Sequence, residues 1–295
     1  MKTIPFPIYK GVMTMKYQTI NQKRYLPDGR CLSRIVAKRD FGNIKKGTLG
    51  GFIEDTHNLS QTDNCWIGEK AMVYGFARIS KDAIVRGQAV IKDRVIVTDN
   101  AVVEGNTLLD QHVFVGGHAY IGNSTYLSGT ATIVDHARLY CYGFHSRSGK
   151  TLMPNINGLA RIKDFAFLEG RVSIRDHAVL AGHCRIIGSV RVHENAWIGD
   201  EAEIRGYALI SGTAHVIQKA CICGRSIITG NALVAGQTVL GGKSLVTCNA
   251  IVRIDGQVDD KIFSGDQYVT SKNGWLNICN QRRSTFDERR LNATA

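Results

Sequence analysis

From Ile67 onward an aliphatic residue returns at every sixth position, and no other property of this chain restricts its fold as much. One series runs from Ile67, Val73 and Ile79 through to Leu139, and a second from Ile156, Ile162 and Leu168 through to Val252. Four residues after each aliphatic, in all 28 complete hexads between Ile67 and Ala137 and between Ala160 and Ala250, stands Ala, Val, Thr, Ser or Cys. A period of six matches neither the 3.6 of a helix nor the 2 of a simple strand. It arises when a short strand, with inward residues two apart, is followed by a tight corner and another strand. The aliphatic fills the middle of the interior and the small residue fits the corner. Gly, Asn and Asp recur where the corner needs unusual backbone angles. Three such sides close a coil of about 18 residues, and coils stack through parallel ladders about 4.8 Å apart. The chain therefore reads as all-β, with about ten triangular coils.

Segments such as "IGEKAM", "IGDEAE" and "VEGNTL" resemble the hexapeptide repeat [LIV]-[GAED]-x-x-[STAV]-x. The resemblance implies a left-handed parallel β-helix, a hand that the period alone does not give. Ahead of the repeat, "GTLGGFIEDTHNLSQTDNCWIG" is similar to the lead-in of a group of largely uncharacterised bacterial and phage-borne hexapeptide proteins, often described as acetyltransferases. Residues 34–68 carry that closer likeness, with Gly50, Gly51, Asn58, Leu59, Ser60, Cys65 and Trp66 its most specific members.

The expected organisation follows the pattern. Residues 1–66 form an N-terminal hairpin, turning at Pro27-Asp28-Gly29, and a segment that caps the first coil. The first helical block spans 67–142 and the second 156–255. Residues 256–295 leave the repeat and cap the other end, finishing in a short helix after Ser284. Between the blocks lies "DHARLYCYGFHSRSGKTLMPN", Asp135 to Asn155. Leu139 and Ile156 stand 17 apart where six is required, so eleven residues are extra. The excess reads as a loop expelled from a corner, within residues 143–155.

Residues five after each aliphatic point outward. They form apolar stripes at Met72, Val90, Leu108 and Tyr126, at Leu209, Ile227 and Leu245, and at Trp197, Leu233 and Ile251. Such stripes call for cover, by terminal segments or by another subunit, and the resemblance implies a homotrimer.

The net charge is +12, and residues 1–66 hold 11 of the basic groups against 5 acidic ones. No helix-turn-helix, zinc-finger or RRM spacing accompanies this excess, so nucleic acid is not the expected partner. Eight cysteines contain no CxxC pair. With no secretory leader pattern and no apolar run long enough to span a bilayer, a cytoplasmic protein with reduced thiols is expected.

Function comes from the resemblance. Hexapeptide acyltransferases use a His as general base on an acceptor hydroxyl or amine that attacks an acyl thioester, so acyl-CoA is the implied donor. His112, His118, His136, His177 and His183 all stand three residues after an aliphatic, on corners where His is tolerated in left-handed conformations. His118 and His136 are 18 apart and should stack in adjacent coils. His145 lies outside the repeat, beside Arg147 and Lys150, which could meet the phosphates of coenzyme A. The candidate bases are thus His145, His118 and His136. No two histidines are five apart, so no metal site is expected. The rival reading is a non-catalytic β-helical scaffold that binds a protein or small ligand.

Overall fold

The computed structural model describes residues 15–68, 70–145, 151–152, 154–272 and 275–280. Nearly every hexad contributes a two-residue strand, such as Val90–Ile91 or Tyr120–Ile121, whose first side chain points outward and whose second is buried. The strands stack into three sheets. The face carrying Val73, Ile91 and Leu109 (face I) passes the chain to that of Ile79, Val97 and Val115 (face II). This leads to the face of Val85, Val103 and Ile121 (face III), which returns it to face I. The result is a three-sided parallel β-helix, the hexapeptide-repeat architecture.

Inside, each aliphatic is fully buried and the small residue of each hexad fills a corner. Where that residue is polar, its hydroxyl bonds three residues back within the corner. Thr107 Oγ1 donates to the Glu104 carbonyl at 2.7 Å and Ser244 Oγ to that of Gly241 at 2.8 Å. A buried hydroxyl with a partner costs little, which is why Thr and Ser serve as well as Ala.

The corners add a feature that the pattern did not suggest. Their left-handed residues are mainly Gly, Asp, Glu and Gln. The longer ones reach to the next coil and accept from its amide. Gly117 N–H donates to Asp99 Oδ2 at 2.9 Å, Gly182 N–H to Asp164 Oδ2 at 2.9 Å, and Gln218 N–H to Asp200 Oδ2 at 2.9 Å. The corner residue is therefore chosen both for its φ and for its acceptor. Gly105 shows the other solution. At φ +78° its missing Cβ would lie 2.3 Å from the Asn123 carbonyl oxygen.

The coil is longer at both ends than ten turns. Ile53 pairs with Val73 on face I and Leu59 bridges Ile79 on face II, six residues later. Two residues too many then separate Leu59 from Ile67, and this excess hid the first rung. At the far end Leu240 pairs with Val258, Val246 with Phe263 and Val252 with Val269. Val258 and Phe263 are five apart, so the strict pattern lapses while the parallel ladder runs on. Face III alone carries eleven rungs.

Ahead of the first rung, Tyr17–Tyr25 and Cys31–Ala37 form the hairpin expected around Asp28-Gly29, and Cys31–Ala37 pairs antiparallel with Leu49–Ile53. The two-residue excess wraps the Lys16 side chain. Its Nζ donates to the carbonyls of Thr62 and Cys65, both at 3.0 Å, and lies 3.1 Å from Cys65 Sγ. Burial lowers the pKa of this lysine, against the pull of Cys65. The last described strands, Gln267–Lys272 and Trp275–Asn280, form a second antiparallel hairpin; the helix expected after Ser284 lies outside the described residues.

Candidate functional site

The corner between faces II and III carries the largest group of histidines. His118 and His136 stack with centroids 4.9 Å apart and planes 1° apart. The column continues through Phe165, 4.9 Å from His136, to His183, 4.6 Å further on. All four rings are exposed. The spacing is that of the ladder itself, one ring per coil. Beside them run the corner carboxylates. Asp99 accepts from the Gly117 amide and from Lys81 Nζ at 2.5 Å, and these two bonds, the amide first, hold its carboxyl below the usual carboxylate range. The column ends in an open groove of about 490 Å³ lined by Gly182, His183, Asp200, Glu201, Gln218 and Lys219.

Sequence spacing placed His118 over His136 but not Phe165 and His183 in the same column. From His136 to Phe165 is 29 residues, because the eleven-residue excess intervenes. Subtracting it restores a spacing of 18 and would have revealed the stack. Parallel rings cannot share a metal ion, since in-plane lone pairs on stacked imidazoles run side by side and do not converge. Among the described residues no group of three or more His, Cys, Asp or Glu side chains could hold a metal.

The excess itself leaves the corner between faces III and I. Tyr126 pairs with Asn155 and Leu127 with Ile156, so the ladder resumes one rung on as though nothing intervened. Phe144–His145 and Thr151–Leu152 pair antiparallel, so the expected loop contains a small hairpin. His145 lies in its first strand; Arg147 and Lys150 lie outside the described residues. Face III separates this corner from that of His118 and His136, so the three candidate bases do not share one site.

At the foot of the hairpin a groove of about 430 Å³ is lined by Asn123, Arg138, Tyr140, Tyr142, Phe167 and Glu169. Tyr140 stands 4.8 Å from Tyr120 and 5.6 Å from Phe167 by centroids, and the Arg185 guanidinium lies 5.2 Å over Phe167. Tyr120 donates its hydroxyl hydrogen to Glu104, which Arg86 also holds. Burial and that carboxylate push the Tyr120 phenol up to about 12. Burial would raise the Glu104 carboxyl, but the two donors outweigh it and the pKa is lowered. A planar, ion-paired surface of this kind suits a polar ligand with a flat or apolar side.

The remaining corner histidines, His112 and His177, are on the corner between faces I and II. His112 lines another open groove, of about 440 Å³, with Arg30, Gly75, Phe76, Asp93, Arg94 and Gln111. Two of the thiols in the coil, Cys141 and Cys184, are buried, and burial pushes both up to about 12, which removes them as nucleophiles.

No family model matches the chain. An uncharacterized acetyltransferase of Escherichia coli (strain K12), YdcK, is 35% identical over 80 residues, which are 24% of this chain and 24% of that protein. The chain thus spans about a quarter of the curated relative it matches. Among solved structures, the UDP-N-acetylglucosamine acyltransferase of Francisella novicida covers 70% of this chain and 70% of its own, at 16% identity and a TM-score of 0.33. The UDP-N-acetylglucosamine O-acyltransferase of Moraxella catarrhalis RH4 covers 70% and 73%, at 16% identity and a TM-score of 0.27.

Proposed function

We propose that this protein is an acyltransferase that moves an acyl group from an acyl-CoA to a hydroxyl or amine of a small acceptor. The observation that carries the reading is the hairpin containing His145, which interrupts the coil beside the groove of Arg138, Tyr140, Tyr142 and Glu169. The match to an acetyltransferase over 80 residues supports it. Binding residues concentrate where irregular segments leave a rigid scaffold. His145 takes the acceptor's proton as its oxygen or nitrogen attacks the thioester carbonyl. The tetrahedral oxyanion collapses, the C–S bond breaks, and the imidazolium returns the proton to the departing thiolate. Arg147 and Lys150, which follow His145 in sequence, meet the phosphates of the donor. His118 and His136 are the next candidates for the base. The protein works as a homotrimer in the cytoplasm, its half-buried stripes on faces I and II packed against neighbouring rods.

A second reading, a non-catalytic scaffold, is favoured by the ring columns, which cap themselves: Arg185 covers Phe167 and Glu104 binds Tyr120. Ligand-linked melting separates the two. An acyl-CoA held at about 100 times its dissociation constant adds roughly 2.7 kcal/mol, so millimolar acetyl-CoA should raise the melting temperature. An unchanged melt with both acetyl-CoA and free coenzyme A removes the enzyme reading. His145→Ala should keep donor binding and lower acceptor-dependent release of coenzyme A by about 10²- to 10⁴-fold.

A further inference from the structure

Among the described residues, the core of the rod does not close at its C-terminal end. Along face II the inward column passes through Val234, Val252 and Val269, each fully buried. Its next member is Ile278, opposite Val269 in the terminal hairpin, and it is 50% exposed. Leu276, two residues away and on the same side, is also exposed. On the outer side Trp275 is 80% exposed. Every residue of Trp275–Asn280 is open to solvent, and the strand ends the order of its sheet with its other edge unpaired among the described residues.

A solvent-facing edge strand is usually defended by charge, proline or a bulge. "WLNICN" has none of these, and its six pairs with Gln267–Lys272 run in unbroken register. Each side carries two apolar residues and one uncharged asparagine: Trp275, Cys279 and Asn277 on one, Leu276, Ile278 and Asn280 on the other.

We propose that Trp275–Asn280 is a homotypic docking strand, through which two copies of the chain meet tail to tail about a two-fold axis. The edge strands pair antiparallel, and Leu276 and Ile278 are buried against their equivalents, so two open cores become one. Charge points to a second copy meeting at this end. The chain carries +12 overall, yet Gly256 to Asn280 holds two lysines against three aspartates, so two tails approach with little repulsion. A head-to-tail contact would join this edge to the basic N-terminal segment and propagate without closing, whereas the two-fold contact closes. The segment that follows, Gln281 to Ala295, holds four arginines and two acids and is a poor match for a neutral apolar edge. The contact lies at the rod's end and is independent of side-by-side association, so its test does not depend on the acyltransferase reading.

Light scattering on the full chain gives the test. The Leu276→Lys/Ile278→Lys variant should have half the mass of the unaltered protein at equal concentration, whatever the side-by-side state, with its β-sheet circular dichroism retained. Equal masses overturn the proposal, as does an open-ended polymer. A chain ending at Asn280 should keep the doubled mass. If that truncation instead converts an unpaired protein into a pair, residues 281–295 are the natural cover and the proposal fails. Hydrogen exchange adds a readout that does not require a variant: amides 275–280 should gain protection as the protein is concentrated, and no such gain counts against the pairing.

Discussion

At the N-terminal end of the rod the first coil is sealed by Tyr17, Ile35, Phe41 and Trp66, all buried, and the outermost strand is Tyr17–Tyr25. At the C-terminal end the outermost strand is Trp275–Asn280, and the core column emerges into solvent at Ile278. Both are edges of long sheets, but only the first is defended. Its register breaks between Ile20 and Lys23, Lys23 donates to Ser33 Oγ at 2.7 Å, and Arg34 donates to Gln22 Oε1 at 3.0 Å. Charge and a bulge make that edge a poor template for another strand. A repeat that could continue indefinitely must be stopped at each end; among the described residues this chain stops itself at one, and the proposed pairing would stop it at the other.

The contrast predicts unequal sensitivity. Tyr17→Ala removes a buried ring whose hydroxyl donates to the Leu59 carbonyl at 2.7 Å. The expected loss is about 3–5 kcal/mol, read by chemical denaturation; a loss below about 1 kcal/mol would mean that the cap is dispensable. Gly51→Ala is next. A Cβ there would lie 2.4 Å from the carbonyl oxygens of Ala71 and Gly68, and overpacking of this kind costs about 1–3 kcal/mol. At the other end, Trp275→Ala should change the stability of the unpaired protein by no more than about 0.5 kcal/mol. A loss like that at Tyr17 would erase the distinction between the ends.

The smallest effect concerns the rungs between them. Asp99 has a folded pKa below its ordinary value of 3.8, chiefly through the Gly117 amide and then Lys81. Its contribution is therefore present above the unfolded pKa and is lost as pH falls through the folded one. Between about pH 5 and about pH 2 the unaltered protein should lose slightly more melting temperature than Asp99→Asn. Parallel losses would show that the corner carboxylate adds nothing as an ion.

The interior was legible because each inward position repeats at a fixed local spacing. The N-terminal hairpin was legible from Pro27-Asp28-Gly29. The rung at Ile53 and Leu59 was hidden by the two residues that wrap Lys16, and the rungs at Phe263 and Val269 by one residue missing after Val258. In each case the backbone ladder absorbs a change at a corner that breaks a strict count. The candidate site was half legible. The stack of His118 on His136 follows from their separation, whereas Phe165 and His183 join it only once the register across the insertion is known. The groove of Arg138, Tyr140, Tyr142, Phe167 and Glu169 joins residues of adjacent coils on either side of that insertion, so no local pattern announces it.

By itself the sequence determined the cross-section of this protein: three short sides, an aliphatic in the middle of each and a small residue at every corner. Those choices depend only on the alternation of a strand and the φ of a corner, which act within six residues. Tertiary structure alone decided which coil lies over which across the insertion, where the rod begins, and that among the described residues its core is closed at Tyr17 and open at Ile278. These depend on pairing between distant segments, and a ladder of backbone hydrogen bonds carries the same register whatever side chains lie between.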